Sequence, residues 1–310
     1  MVIISGDTSS GSGALLKYNG KSLIFTNAHV LCGNTQNTYK LVDDTPLIPG
    51  NLGVAQGHDV AVVEQTQSTE GIEVMTEVDK KVAIGDEVVV LGNSKGAGVV
   101  TEIPGTVLGV GPRQIEVDAV VVSGNSGSPI IHVKTGQVIG LITHAEMPKA
   151  DAWAKGSRFM EIRRYGVRLD TIAKWDFPKW SVFIQYGRIL HQLEEGAKMF
   201  AALAQDICDD GLVTLKVYQA SEGRIRQPVT DYLQIMNRHD MAPQSVLQAK
   251  QKFLRDVAFG VTANLPPVPA GLDSYQTGAF QKALEVRKQL KKDFEDLAKY
   301  QDTIGKITLP

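Results

Sequence analysis

The apolar residues of this chain change their spacing near residue 175, and that change limits the fold more than any other feature. Before it, glycine is frequent and apolar residues come in short β-branched runs: Ser22–Phe25, Val60–Val63, Glu87–Leu91, Gly98–Thr101, Gln114–Val122 and Val138–Thr143. Turn formers separate them at Asn19-Gly20, Pro49-Gly50, Pro104-Gly105, Gly111-Pro112 and Thr135-Gly136. Many short strands at such spacing predict an all-β sandwich or barrel. Asn19-Gly20, between Leu15-Leu16 and Leu23-Ile24, is a hairpin signal. Met1-Val2-Ile3-Ile4 is too short for a signal-peptide core and reads as a first strand.

After residue 180 the period becomes helical. Tyr186, Ile189, Leu190, Leu193, Ala197, Phe200, Leu203 and Ile207 recur at steps of three and four, one face of a long helix. Pro243 suits the first turn of a second helix through Val246, Leu247, Phe253, Leu254 and Val257. Asn264–Gly271, with three prolines, reads as a stiff linker, and a last helix carries Phe280, Leu284, Leu290, Phe294 and Leu297. The expectation is a multidomain chain, β then α: a β domain over 1–175 and an all-helical domain over 176–310.

At 310 residues, 43% hydrophobic and 21% charged, the composition is that of a soluble globular protein. A net charge of -2 lacks the basic surplus of a nucleic-acid-binding protein. No apolar run is long enough to span a bilayer. Cys32 and Cys208 lie in different predicted domains; a cross-domain disulfide and two separate buried thiols are both open, and neither spacing is a zinc pattern. No cofactor or metal is expected.

Three segments carry chemistry, in a definite order. Thr26-Asn27-Ala28-His29-Val30 ends an apolar strand, His58-Asp59 precedes another, and Gly124-Asn125-Ser126-Gly127-Ser128-Pro129 is a turn between two more. A serine hydroxyl is a weak nucleophile that must give up its proton to a nearby base as it attacks. Histidine titrates near neutrality and suits that role, and a carboxylate fixes its tautomer. Backbone N–H groups must meet the developing oxyanion. Gly124 has no side chain to obstruct the approach, so its N–H and that of Ser126 can converge on one point. By strand alternation His58 should point away from Asp59. His132 reads as a surface or satisfied residue. His144 is equally open to a structural role and to a place at the edge of a groove.

Together these segments resemble the chymotrypsin-fold (trypsin-like) serine proteases, and more narrowly the bacterial HtrA-like (high-temperature-requirement) proteases. The narrower resemblance is carried by Gly11-Ser12-Gly13, Thr26–Val30, the glycine-asparagine pair closing Val88–Asn93, and Asp118-Ala119. It covers about residues 1–172 and implies a double β-barrel, split near residue 80 into barrels of about 1–80 and 81–172, each six-stranded, with the site between them. It implies a His29–Asp59–Ser126 triad, an oxyanion hole from Gly124 and Ser126, and an acyl-enzyme route for cutting protein or peptide substrates. Asn125 stands where the digestive branch has an aspartate, so no zymogen ion pair is expected. Ser128 replaces a usual glycine. Val120 falls at the base of the specificity pocket, which predicts small or aliphatic residues at the cleavage site, because an apolar base leaves a basic side chain unpaired. Thr143, His144 and Ala145 are expected to form the substrate-pairing edge, with Arg158-Phe159-Met160 as the opposite wall.

Family members often carry a PDZ domain after the protease, whereas residues 180–310 read as helices. A lid over the cleft, an oligomerisation element and an adaptor are all open for this region, so the oligomeric state is not predicted. The expected location is exported, periplasmic or extracellular, as a mature form without its signal peptide, with the cytoplasm as the alternative. The rival function is a catalytically latent binding or scaffold protein of the same fold, regulated by the helical region.

Overall fold

The computed structural model describes residues 1–32, 34–67, 70–147, 156–157, 160–185, 187–188 and 226–236, with isolated positions elsewhere. The chain divides into two compact units; Met1–Arg188 belongs to the first, and a helix at Arg226–Met236 to the second.

The first unit begins with β1 (Val2–Gly6), β2 (Ser10–Tyr18) and β3 (Lys21–Thr26), then a one-turn helix α1 (Ala28–Leu31). There follow β4 (Asn37–Leu41), β5 (Pro46–Leu47), β6 (Pro49–Ala55), β7 (Ala61–Gln65), β8 (Ile72–Glu73) and a short helix α2 (Val78–Lys81). The second half holds β9 (Glu87–Gly92), β10 (Thr101–Val110), β11 (Gln114–Val117), β12 (Pro129–His132), β13 (Gln137–Glu146), β14 (Arg163–Arg168) and β15 (Trp175–Asp176).

The second half closes into a six-stranded barrel in the order β10-β11-β14-β13-β12-β9, as the resemblance implies. The first half differs. It is a nine-stranded sheet, β15-β6-β7-β3-β2-β1-β4-β5 with β8 against β2, rather than a six-stranded barrel. The ninth strand comes from beyond the second barrel: Trp175 pairs with Ala55 and Asp176 with Val54. The Trp180 indole then donates to the Gly50 carbonyl at 2.9 Å. The β unit therefore continues past residue 175 into the segment assigned from sequence to the helical domain.

Two expected turns are strand instead. Pro49-Gly50 opens β6, and Pro104-Gly105 lies inside β10. Proline is tolerated in a sheet where no partner needs its N–H, at a strand start or an unpaired side. Pro49 is the first residue of β6, and β11 pairs with β10 only from Val107 onward. Gly105 is needed because a Cβ there would lie 2.6 Å from the Ala119 nitrogen. The Asn19-Gly20 hairpin forms as expected, with both residues at positive φ (49° and 78°).

One core fills the closed barrel, built from Val88, Val90, Val107, Ile115, Val117, Ile130 and Ile139, among others. A second joins the halves: Ala14, Leu16, Phe25, Val60 and Val62 of the first pack with Val138, Leu141, Val167 and Leu169 of the second. Phe25 and Trp175 meet edge to face within it at 6.1 Å. Burial of this shared core fixes one half against the other, and with it any site built from both.

Arg226–Met236 (α3) lies between the predicted helical runs rather than in one of them. Nearly all of the runs over 186–207, 243–257 and 280–297, the linker 264–271 and Cys208 lie outside the described residues. No helix among the described residues is long and apolar enough to cross a membrane.

Candidate active site

The register of β3 on β7 delivers the first two residues. Thr26 pairs with Ala61, so the segments just beyond that pair, Asn27–His29 and Asp59–Val60, leave the sheet side by side. Asn27 stays extended (φ -79°, ψ 146°) and α1 begins immediately after it. The His29 ring Nδ1 lies 2.5 Å from Asp59 Oδ2, and the His29 backbone N–H donates to Asp59 Oδ1 at 3.0 Å. Both carboxylate oxygens are thus committed to one residue. Asn27, fully buried, donates through Nδ2 to the Asp59 carbonyl at 2.8 Å and to Thr143 Oγ1 at 3.4 Å, tying the acid to β13.

Ser126 comes from the other half and reaches the same place through its backbone. Its carbonyl accepts the Ser12 N–H at 2.9 Å. A Cβ on the neighbouring Gly11 would sit 2.8 Å from both Val30 methyl groups and 3.1 Å from the Ser126 carbonyl oxygen. Only a glycine lets the helix that carries His29 and the Ser126 turn approach one another over β2. Ser126 Oγ itself makes no hydrogen bond among the described residues.

The turn around Ser126 is braced on every side. Gly124 is buried at φ +92°, and a Cβ on it would lie 2.3 Å from the Asn93 carbonyl oxygen. The Ser123 carbonyl accepts the Lys95 N–H at 2.7 Å. Asn125 is fully buried, accepts the Val122 N–H at 2.8 Å and donates to Ser94 Oγ at 3.2 Å. Its uncharged amide thus ties the turn to the loop after β9, a role that sequence reasoning missed. Gly127 N–H donates to the Ile142 carbonyl (2.8 Å) and Ile142 N–H to the Ser128 carbonyl (2.9 Å), joining the turn to β13. Among the described residues, neither the Gly124 nor the Ser126 N–H finds an acceptor. Ser128 Oγ is buried without a partner among the described residues, close to where a Gly92 Cβ would stand (2.5 Å).

Neighbouring side chains hold the strand that was expected to form the substrate edge. His144, exposed, stacks on Tyr165 with centroids 5.1 Å apart. Arg163 covers that ring at 5.2 Å and makes two bonds to Glu116, at 3.0 and 2.8 Å. Thr143 Oγ1 donates back to the Leu141 carbonyl at 3.1 Å, and Ala145 is exposed. Val120 departs from expectation: it is 65% exposed rather than the floor of an enclosed pocket. The chain leaves β11 after Val117 and runs irregularly through 118–122, so Val120 is not carried inward by a strand. Arg158 and Phe159, the expected opposite wall, lie outside the described residues; Met160 is half-exposed.

The other histidines among the described residues have evident surroundings. His132 is buried, with Nδ1 3.0 Å from Thr135 Oγ1 and Nε2 3.2 Å from Asp86 Oδ2. His58 is buried too; burial first, then the Arg113 charge, lowers its pKa below 6.5. No group of three or more metal-ligating side chains occurs among the described residues.

Residues 11–141 match the trypsin-like peptidase domain model. A probable periplasmic serine endoprotease, DegP-like, of Brucella suis is 33% identical over 141 residues, covering 43% of this chain and 27% of that protein. A serine protease, HtrA-like, of Staphylococcus epidermidis is 25% identical over 201 residues, covering 58% of this chain and 34% of that protein. The crystal structure of the Rv3671c protease of M. tuberculosis in its active form is 21% identical, covers 55% of this chain and 76% of that one, and has a TM-score of 0.45. The chain thus spans about a third or less of the length of these curated relatives. Residues 11–141 carry a trypsin-like peptidase domain match, and DegP-like and HtrA-like serine proteases are similar to part of this chain.

Proposed function

We propose that this chain is a serine endopeptidase that works through an acyl-enzyme, with His29, Asp59 and Ser126 as its triad. The observation that carries the reading is the doubly bonded His29–Asp59 pair, together with a Ser126 turn whose Gly124 and Ser126 N–H groups have no acceptor among the described residues. With Nδ1–H held by Asp59, Nε2 of His29 is the basic nitrogen. It takes the proton from Ser126 Oγ as that oxygen attacks the peptide carbonyl. The tetrahedral oxyanion is received by the Gly124 and Ser126 N–H groups, each direct donor of this type supplying ~3 kcal/mol. His29 then protonates the departing amine, and a water deacylates Ser126 by the same proton path. A preference for small or aliphatic residues at the cut stays with the sequence resemblance, because the exposed Val120 supplies no pocket floor. The periplasmic naming of the DegP-like relatives supports an exported location.

That Ser126 Oγ has no hydrogen-bond partner among the described residues favours a second reading, a latent form of the same fold. A fluorophosphonate probe separates the two. Labelling lost in Ser126→Ala, together with digestion of an unfolded protein, is expected of the peptidase. A folded chain that takes no label and cuts nothing would overturn it and leave the latent form.

A further inference from the structure

We propose that Ser12 is a positioning residue for the oxyanion hole, an inference that rests on the peptidase reading of Ser126. Ser12 lies on β2 in the first half and is fully buried. Its N–H donates to the Ser126 carbonyl at 2.9 Å, and its hydroxyl donates to the Gly124 carbonyl at 2.8 Å. The same hydroxyl accepts the Asn93 N–H at 2.9 Å, while its carbonyl accepts Thr26 Oγ1 at 2.7 Å. One residue therefore holds the Ser126 turn, the loop after β9 and the strand leading to His29.

The arrangement bears directly on the two N–H groups that await an oxyanion. Gly124 and Ser126 each have their own carbonyl tied to Ser12, which limits rotation on the C-terminal side of both residues. On the other side, the Ser123–Gly124 peptide is turned by the Lys95 N–H bond to the Ser123 carbonyl. Lys95 sits in a left-handed conformation (φ 59°) two residues after Asn93, whose N–H rests on Ser12 Oγ. The hydroxyl thus links both peptides that decide where the Gly124 N–H points. Alanine can neither donate to Gly124 nor accept from Asn93. The flanking Gly11 and Gly13 carry no side chain to replace it, and a Cβ on Gly13 would lie 2.8 Å from the Phe25 carbonyl oxygen.

The test uses the full chain. In the parent, a fluorophosphonate must label Ser126 and a peptide substrate must be hydrolysed. In Ser12→Ala, kcat is expected to fall about tenfold or more, less than the 10²–10³ for loss of a direct donor, with KM within about twofold. Affinity for a peptide boronate, whose adduct is tetrahedral at Ser126, should fall by the same factor as kcat. The low-field proton resonance of the His29–Asp59 pair should persist, which general unfolding would abolish. If Ser12→Ala does not melt cooperatively, Ser12→Cys, a similar shape with a weak donor, is expected to show the same split at smaller size. Parental kcat in a folded variant, or a change confined to KM, would overturn the positioning role alone. An unlabelled parent would overturn the peptidase reading, and the proposal with it.

Discussion

His29 and Asp59, thirty residues apart, are joined by a ring bond of 2.5 Å and a backbone bond of 3.0 Å, one to each carboxylate oxygen. The acid therefore orients both the imidazole and the helix that bears it. Asp59→Asn replaces one acceptor with a donor, and the ring can then settle in the wrong tautomer with Nε2 protonated. We expect kcat for peptide hydrolysis to fall about 10⁴-fold with little change in KM. Steady-state kinetics beside a thermal melt checks this, and a loss confined to KM would contradict it.

Gly127 has a stricter requirement than its positive φ of 83° alone. A Cβ there would stand 2.1 Å from the Ser12 carbonyl oxygen and 2.5 Å from Thr26 Oγ1. Gly127→Ala should destabilise by more than the ~1–3 kcal/mol of backbone strain. Gly136→Ala is the control: its φ is 69°, but nothing lies within 4 Å of the new methyl group. Urea unfolding of the two variants should rank them in that order.

Arg168 is 4% exposed and bonds Asp170 twice (3.0 and 2.8 Å), Asp79 at 2.9 Å and the Gly111 carbonyl at 2.9 Å. Asp170 also accepts the Val78 N–H that begins α2. Arg168→Leu leaves the buried Asp170 carboxylate without its cation and should cost about 3–5 kcal/mol. Asp79→Asn, at a well-exposed partner, should cost far less, because solvent screens that pair. Equal losses in chemical denaturation would argue against burial as the cause.

His58 gives the fold a pH dependence separate from catalysis. Its pKa is held below 6.5, chiefly by burial and then by Arg113. The unfolded chain therefore takes up a proton at a pH where the folded chain does not. Stability should decline as pH falls below 6.5 towards the folded value, and level off beneath it. His58→Asn should flatten that part of the profile relative to the parent. Melting temperatures across about pH 5 to 8 give the difference, and parallel profiles would refute the assignment.

The local order of the chain was legible because it depends on near neighbours. β-branched runs, the Asn19-Gly20 turn and the three chemical segments each declare themselves within a few residues. The sequence could not reveal that Pro49 and Pro104 sit in strands, because that depends on which side of each strand lacks a partner. Nor could it show that Trp175–Asp176 returns to the first sheet, since two-residue strands carry no period of their own. Gly11-Ser12-Gly13 was visible as a motif, yet the work of Ser12 was not: its partners Asn93, Gly124 and Ser126 are remote in sequence.

The sequence by itself determined which residue types are available to act: a histidine, an acid and a glycine-flanked serine, in that order, on β-forming segments. Only the tertiary structure decided what holds them. Register between β3 and β7 brings His29 to Asp59, and the core shared by the two halves brings the Ser126 turn to Ser12. These are packing outcomes that depend on both halves at once, so no local stretch of sequence contains them.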